Sequence, residues 1–100
     1  MKQILIPLAL SALMALPVTL PSSAAAAECY ADYKAKKDNP LKLHYGIVQL
    51  QGVCKRRPAK AEVSARIGAG GWKLLNVLSV FGPEGLTQRR GNAGRFYLRF

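Results

Sequence analysis

The first 27 residues constrain this chain most, because they decide how much of it remains to fold. One cation, Lys2, precedes an apolar stretch at residues 4–20, and a run of small residues follows at 22–27. This succession is typical of a secretory signal peptide, with its basic start, apolar centre and small-residue cleavage site. We therefore predict a signal peptide at residues 1–27, cleaved before Glu28, and a mature chain that is periplasmic or secreted.

An uncleaved membrane anchor is the alternative interpretation of the same segment. A spanning helix needs about 20 mainly apolar residues, and Pro7 and Pro17 interrupt the stretch. The small residues before Glu28 are also what cleavage requires. Removal of the segment takes away one cation and no acid, so residues 28–100 keep a formal charge of +9 out of the total of +10.

Two cysteines, Cys29 and Cys54, are the only ones in the chain. A domain as short as residues 28–100 has a thin hydrophobic core, and exported domains of this size are commonly reinforced by disulfides. The paired CxxC spacing of zinc sites is absent, which leaves free thiols as the alternative. We predict a Cys29–Cys54 disulfide that tethers an N-terminal arm, residues 28–40, to a small domain at residues 41–100.

The predicted arm is followed by a strand. Residues 28–40 are polar and end in an Asn-Pro pair, and the residue before a proline is pushed out of the helical region, so turns are expected. In residues 41–53, Val48 and Leu50 alternate with glutamines. This alternation predicts a half-buried strand.

One helix is predicted after this strand. Pro58 suits the first position of a helix, where its missing N–H is not needed. An apolar stripe follows at intervals of four residues, formed by Ala59, Val63 and Ile67. Gly68 or Gly70 is expected to supply the left-handed residue that ends the helix. Because these glycines follow a helix and precede a strand, an anion would meet the carbonyl end of the helix, which excludes a phosphate-binding loop.

Two further strands complete the predicted sheet. Residues 72–81 are apolar on both alternating faces, which indicates a central strand covered on both sides. After a polar, glycine-rich connection, residues 94–100 alternate again, with Phe96, Leu98 and Phe100 inward and Arg95, Tyr97 and Arg99 outward. The expected fold class is α+β: a small antiparallel sheet of about three strands with one helix packed on it, in β-α-β-β order.

Several of these segments resemble a known family. The segment YGIVQL, a short helix, Gly71-Trp72-x-Leu74-Leu75 and the terminal RFYLRF together resemble small bacterial domain-of-unknown-function proteins with a Gly-Trp-x-Leu strand motif. The resemblance spans Tyr45 to Phe100. Lysine follows the tryptophan where that family often has Glu, and the cysteine-bearing arm is an addition. The resemblance implies β-α-β-β order with one helix on the sheet, and it implies no catalytic residues.

The titratable residues favour no enzymatic activity. His44 is the only histidine, and without a nucleophile and an orienting carboxylate beside it we expect a partly exposed strand residue. The five carboxylates are scattered singly along the sequence: Glu28, Asp32, Asp38, Glu62 and Glu84. Their spacing matches neither a paired acid–base site nor an oxygen-ligand metal loop. We therefore expect that this protein is not an enzyme and that it binds neither a metal nor a cofactor.

Positive charge is the main functional indication. Basic residues in two connections and on the outer face of the last strand, with one tyrosine among them, are expected to share a surface: Lys55, Arg56, Arg57, Arg89, Arg90, Arg95, Tyr97 and Arg99. Such a face binds anions by ionic contact and stacking. Because export removes the protein from nucleic acid, we predict non-enzymatic binding of an anionic envelope partner, whether lipid, lipopolysaccharide or acidic protein.

Two alternatives remain at this level. A highly charged surface can serve solubility alone, with no dedicated ligand. The apolar strand at residues 72–81 can instead leave a sheet face that a second copy or a client protein covers. The chain would then be a structural or self-associating accessory protein, such as a homodimer.

Overall fold

A computed structural model describes residues 28–100, and the predicted signal peptide at residues 1–27 lies outside them. The elements in chain order are β1 (Tyr30–Lys37), β2 (Lys42–Gln49), α1 (Arg56–Gly68), β3 (Lys73–Phe81) and α2 (Thr87–Ala93), with short 3-10 turns at Pro83–Gly85 and Gly94–Phe96. The strands form one antiparallel sheet in the order β2-β1-β3, with helices packed on it. The predicted α+β class is confirmed, although the order along the chain is β-β-α-β-α and not β-α-β-β. No helix among these residues has the length and apolar character that crossing a membrane requires.

The central strand, β1, lies in the segment that the sequence predicts as a turn-rich arm, so that prediction is wrong. Its alternate residues Ala31, Tyr33 and Ala35 are completely buried in the cluster beneath α1. Most of the intervening residues are charged, a type that is depleted in strands, and they hide the period-two pattern. Asp32 is nevertheless only 5 % exposed, because three side chains from other elements hydrogen-bond to its carboxylate.

The edge strand β3 occupies residues that the sequence predicts as the centre of the sheet. With β1 in the middle, β3 pairs on one side only, and its register against β1 shifts at two places. Val77 is the one buried residue of β3, and the others are partly or fully exposed. An apolar pattern on both faces therefore does not by itself distinguish an edge strand from a central one.

The prediction of a final strand at residues 94–100 is also wrong. Gly94–Phe96 forms a 3-10 turn after α2, and extended pairing is limited to one parallel bridge between Tyr97 and Ile47 of β2. The Leu98 N–H donates to the Ile47 carbonyl at 2.8 Å. A positive φ of 55° at Leu98 turns the chain out of extended geometry. The segment therefore lies against the edge of β2 without adding a strand.

The predicted helix and its apolar stripe are confirmed in α1. The helix begins at Arg56, two residues before Pro58, so the proline occupies the first turn, where its missing N–H breaks no helical hydrogen bond. The stripe is completely buried against the sheet and consists of Ala59, Val63 and Ile67. α1 therefore covers one face of the sheet.

The glycines after α1 end the helix, as predicted, but a different one carries the left-handed conformation. Gly71 has a φ of 86°, whereas the sequence predicts Gly68 or Gly70 in this role. The Trp72 N–H donates to the Ile67 carbonyl at 3.1 Å and closes the last turn. The glycines thus stand at the carbonyl end of a helix, where no phosphate loop forms.

The predicted disulfide is confirmed between Cys29 and Cys54, whose Cα atoms lie 6.0 Å apart. Cys29 immediately precedes β1, and Cys54 lies two residues before α1. The bond therefore joins the central strand to the helix that covers it, and does not tether a peripheral arm as the sequence predicts. Its presence is consistent with an oxidising, exported location.

A second, smaller cluster covers the opposite face of the sheet. It centres on Tyr30, Ile47 and Ala93, which come from β1, β2 and α2. Partly buried side chains pack around it: Tyr45, Phe81, Leu86 and Tyr97. α2, which the sequence predicts as part of a polar connection, is thus the cover of the face away from α1. Near the β1–β2 turn this face stays open, and Leu43 and Leu75 are exposed there.

Gly46 of β2 accommodates the ring of Tyr33, its partner across the sheet. A β-carbon at Gly46 would lie 2.6 and 2.9 Å from the Cζ and Cε1 atoms of Tyr33, and closer still to the hydroxyl oxygen. Side chains do not tolerate such separations, so the close approach of the ring requires glycine.

We predict that Gly46→Ala lowers the free energy of unfolding by about 2–3 kcal/mol, because Tyr33 must leave its place in a packed core. Gly91 provides the control, since a β-carbon there meets no atom within 4 Å. Gly91→Ala in α2 should be neutral or stabilise by up to about 1 kcal/mol through helix propensity. Urea unfolding curves measure both variants, and equal stabilities would contradict this packing.

Candidate functional site

Four aromatic rings meet beside β2, and three of them, Trp72, Phe96 and Phe100, line a cleft. His44 of β2 stacks on Phe96, with ring centroids 3.7 Å apart and planes inclined by 8°. Trp72 meets the His44 ring edge-on at 4.2 Å, and Phe100 lies 6.3 Å from it. His44 is only 9 % exposed, so the expectation of a partly exposed strand histidine is wrong. The rings come from β2, from the loop after α1 and from the C-terminal segment, which only the fold brings together.

The imidazole of His44 is paired with Tyr33 in the core. The Tyr33 hydroxyl lies 2.9 Å from His44 Nε2, while Nδ1 is buried without a partner among residues 28–100. Burial, together with the nearby Lys37 ammonium, lowers the pKa of His44 to about 4. Burial also raises the pKa of Tyr33 to about 12. At neutral pH both groups are therefore uncharged, and His44 supports Phe96 by ring stacking and brings no charge to the cleft.

The pKa of His44 makes stability depend on pH. Because this pKa is about 4 in the folded protein and 6.5 when unperturbed, the unfolded chain takes up the proton first. The stability associated with neutral His44 is complete above pH 6.5 and is lost progressively down to about pH 4. We expect the free energy of unfolding to drop by about 1–2 kcal/mol between pH 7 and pH 5. His44→Gln cannot titrate and should flatten this dependence in urea unfolding; an unchanged slope would contradict the lowered pKa.

A cleft of about 580 Å³ opens over these rings. Its walls carry four cations, two from the strand ends beside the β1–β2 turn and two from the C-terminal segment: Lys37, Lys42, Arg95 and Arg99. The rest of the lining is Leu43, Gly70, Trp72, Phe96 and Phe100. Lys37 Nζ lies 4.6 Å from the centre of the Trp72 ring, and the Arg99 guanidinium lies 5.8 Å from that of Phe96. Such cation–π contacts hold the cations over the floor without neutralising them.

No Asp or Glu side chain among residues 28–100 lines the cleft. Glu62, for example, accepts hydrogen bonds from the backbone N–H groups of Gln51 and Gly52 at 2.8 and 3.0 Å, and pairs with Arg66 at 2.6 Å. Burial opposes the ionisation of Glu62, but these donors outweigh it and lower the pKa. None of the four cleft cations forms an ion pair within the described part of the chain. The cleft is therefore strongly positive.

Of the predicted anion-binding residues, only Arg95 and Arg99 line the cleft. Sequence reasoning missed Lys37, Lys42 and Trp72. The two lysines are cross-strand partners at the end of the β1–β2 hairpin, and the turn-rich interpretation of the first segment concealed them. The Asp-Asn-Pro turn between two alternating stretches was the signal for this hairpin.

The other predicted residues lie apart from the cleft. Arg56 donates hydrogen bonds to two carbonyls of β3, at 2.5 and 2.7 Å. Tyr97 packs in the cluster under α2, where the Arg90 guanidinium lies 5.0 Å from its ring. Lys55 and Arg57 are exposed at the start of α1. The predicted single basic surface is thus divided between separate places on the fold.

Arg89, also predicted to bind anions, belongs to a buried network around Asp32. Its Nε donates to Asp32 Oδ2 at 3.2 Å. The Tyr45 hydroxyl donates to the same oxygen at 2.7 Å, and the Ser79 hydroxyl donates to Oδ1 at 2.6 Å. The guanidinium also lies 4.1 Å from the centre of the Phe81 ring. The network joins α2 to all three strands.

We predict that Arg89→Gln lowers the free energy of unfolding by about 2–3 kcal/mol, since it removes the cation beside a buried carboxylate. Arg57→Gln removes the same charge from an exposed position in α1. It should change stability by less than about 0.5 kcal/mol. Urea unfolding at one pH compares the two variants, and equal effects would mean that Arg89 is only a surface charge.

Comparisons of the chain with protein-family models, curated proteins and solved structures give no match. The resemblance to small bacterial domain-of-unknown-function proteins therefore stays a prediction. Within residues 28–100, no three His, Cys, Asp or Glu side chains lie close enough together to hold a metal ion. The residues of the cleft itself, cations above aromatic rings, suit an anion that carries an apolar group.

Proposed function

We propose that this protein is a non-enzymatic binding protein that takes an anionic component of the cell envelope into the basic cleft. The observation that carries the proposal is the convergence of four cations on a floor of aromatic rings, with no Asp or Glu partner for them within residues 28–100. Like charges gathered in one cleft repel one another, and an anion relieves that repulsion.

The cleft favours a phosphate-bearing ligand with an adjoining apolar part. Guanidinium groups bind phosphate oxygens through paired hydrogen bonds, and ammonium groups act as point charges. Arg95 and Arg99 are both exposed, so their guanidinium groups can reorient toward a ligand. Trp72 and Phe96 offer aromatic faces beside them. A lipid or a lipopolysaccharide combines both parts more directly than an acidic protein, whose carboxylates carry no such group.

Export supports this class of ligand. The predicted signal peptide would take the chain out of the cytoplasm, and the disulfide suits an oxidising compartment. In the periplasm or outside the cell, phosphate-bearing lipids are more accessible than nucleic acid. Nucleic acid is therefore not the proposed partner.

A soluble probe, 1-naphthyl phosphate, tests the proposal because it joins a phosphate to an aromatic ring. Trp72, the only tryptophan in the sequence, lines the cleft and reports binding through its fluorescence. We expect saturable binding that weakens as the salt concentration rises. Uncharged 1-naphthol should bind much more weakly, since it offers nothing to the cations.

Matched variants assign the binding to the cleft. Arg95→Gln/Arg99→Gln should weaken the binding of 1-naphthyl phosphate by roughly tenfold or more, because it removes two charge-assisted contacts. Arg57→Gln/Lys60→Gln removes the same charge from exposed positions of α1 and should leave the affinity within about twofold. Equal losses in both variants, or no response of Trp72 in the wild type, would overturn the proposal.

Self-association through β3 is the alternative function. β3 is an edge strand, and its Leu75 is 47 % exposed, an arrangement that favours pairing with a second copy. Such association would survive high salt, whereas ligand binding in the basic cleft would not. Sedimentation of the protein at low and high salt distinguishes the two.

A further inference from the structure

Three exposed leucines lie at the end of the sheet that carries the cleft. Leu41 in the β1–β2 turn is 62 % exposed, and Leu43 at the start of β2 is 65 % exposed. Leu43 lines the basic cleft and also a second cavity of about 240 Å³, which it shares with Leu75. The leucines therefore belong to one surface that includes the rim of the cleft.

Cations surround these leucines. Across the sheet, Leu43 pairs with Lys36 of β1, and Lys36 pairs in turn with Lys73 of β3. Lys34 lines the second cavity beside Leu43. Within residues 28–100, Asp38 is the one acidic residue in the turn or along either cavity, and it lies 3.2 Å from Lys36. The surface is thus apolar at its centre and positive around it.

We propose that this end of the protein docks on an anionic lipid bilayer, with the β1–β2 turn inserted among the headgroups and the cleft facing them. The inference rests on the proposed function and names its ligand, the phosphate headgroups of a bilayer. Transfer of exposed leucine side chains from water into a membrane is favourable, and the negative surface potential of an anionic membrane attracts lysines. A soluble anion would neutralise the cations but leave the leucine side chains in water. A bilayer neutralises the cations with its headgroups and also buries the leucine side chains.

Trp72 has a position that suits the membrane interface. It is half-buried in the floor of the cleft, and the Lys37 ammonium lies over its ring. Tryptophan favours the boundary between headgroups and acyl chains, and lysine side chains keep their charge in water while their stems cover apolar surface. Docking in this orientation brings Arg95 and Arg99 to the phosphates, so the turn and the cleft act on the same surface.

Co-sedimentation with phosphatidylcholine vesicles, with and without phosphatidylglycerol, measures the docking. We expect binding only where phosphatidylglycerol is present, and weaker binding as the salt concentration rises. Leu41→Ser/Leu43→Ser should weaken it by roughly tenfold or more, since two apolar side chains no longer enter the bilayer. The control is Val53→Ser, because Val53 is 56 % exposed in the loop that follows the other end of β2. This control should change binding by less than about twofold.

A relocated fluorophore measures insertion itself. Leu41→Trp/Trp72→Phe places the only tryptophan in the turn, and phosphatidylglycerol brominated in its acyl chains should quench the emission. Absence of quenching would overturn the bilayer proposal. So would vesicle binding by Leu41→Ser/Leu43→Ser at the wild-type level.

One variant separates this proposal from the proposed function. Leu41→Ser changes a residue of the turn that does not line the cleft, so it should bind 1-naphthyl phosphate with wild-type affinity while it weakens binding to anionic vesicles. Normal binding of that probe by the wild type, without binding to anionic vesicles, would overturn the bilayer proposal alone. Failure of the wild type to bind the probe would overturn the proposed function.

Discussion

The buried carboxylate of Asp32 is the interaction on which the rest of the structure depends. A strand rich in charged residues can occupy the centre of a sheet only if its buried charge is compensated, since an unpaired charge in the core is strongly destabilising. Hydrogen bonds from Tyr45, Ser79 and Arg89 compensate this charge, and the three donors belong to β2, β3 and α2 respectively. With β1 central, β3 lies at an edge, and α2 covers part of the face that Asp32 occupies.

A second series of contacts leads from the core to the cleft. Gly46 makes room for Tyr33, the Tyr33 hydroxyl meets His44, and His44 stacks on Phe96. Because interiors are close-packed, a displacement at one of these positions is passed to the next. The C-terminal segment is thereby held against β2 with its arginines beside the rings. Packing in the core thus positions charge at the surface.

The placement of the few acidic residues gives the cleft its charge. Asp32 and Glu62 are engaged in hydrogen-bond networks elsewhere in the fold, and Asp38 pairs with Lys36 in the β1–β2 hairpin. In a chain with 15 Lys and Arg residues and 5 Asp and Glu residues, basic surface is common, so charge alone does not mark a site. The cleft differs from other basic surface because aromatic rings form its floor and an exposed leucine lies at its rim.

The sequence by itself determined the α+β class, the buried stripe of α1 and the Cys29–Cys54 disulfide, because these follow from local periodicity and from the number of cysteines. The prediction from sequence was wrong for β1, because charged residues hide its alternating pattern. It was also wrong for residues 94–100, where alternating aromatic residues stack against the rings beside β2 and do not pair as a strand. Only the tertiary structure decided which strand is central and which cations share the cleft. Both depend on contacts between distant parts of the chain: Lys37 and Lys42 meet Arg95 and Arg99 only when the C-terminal segment docks beside the hairpin.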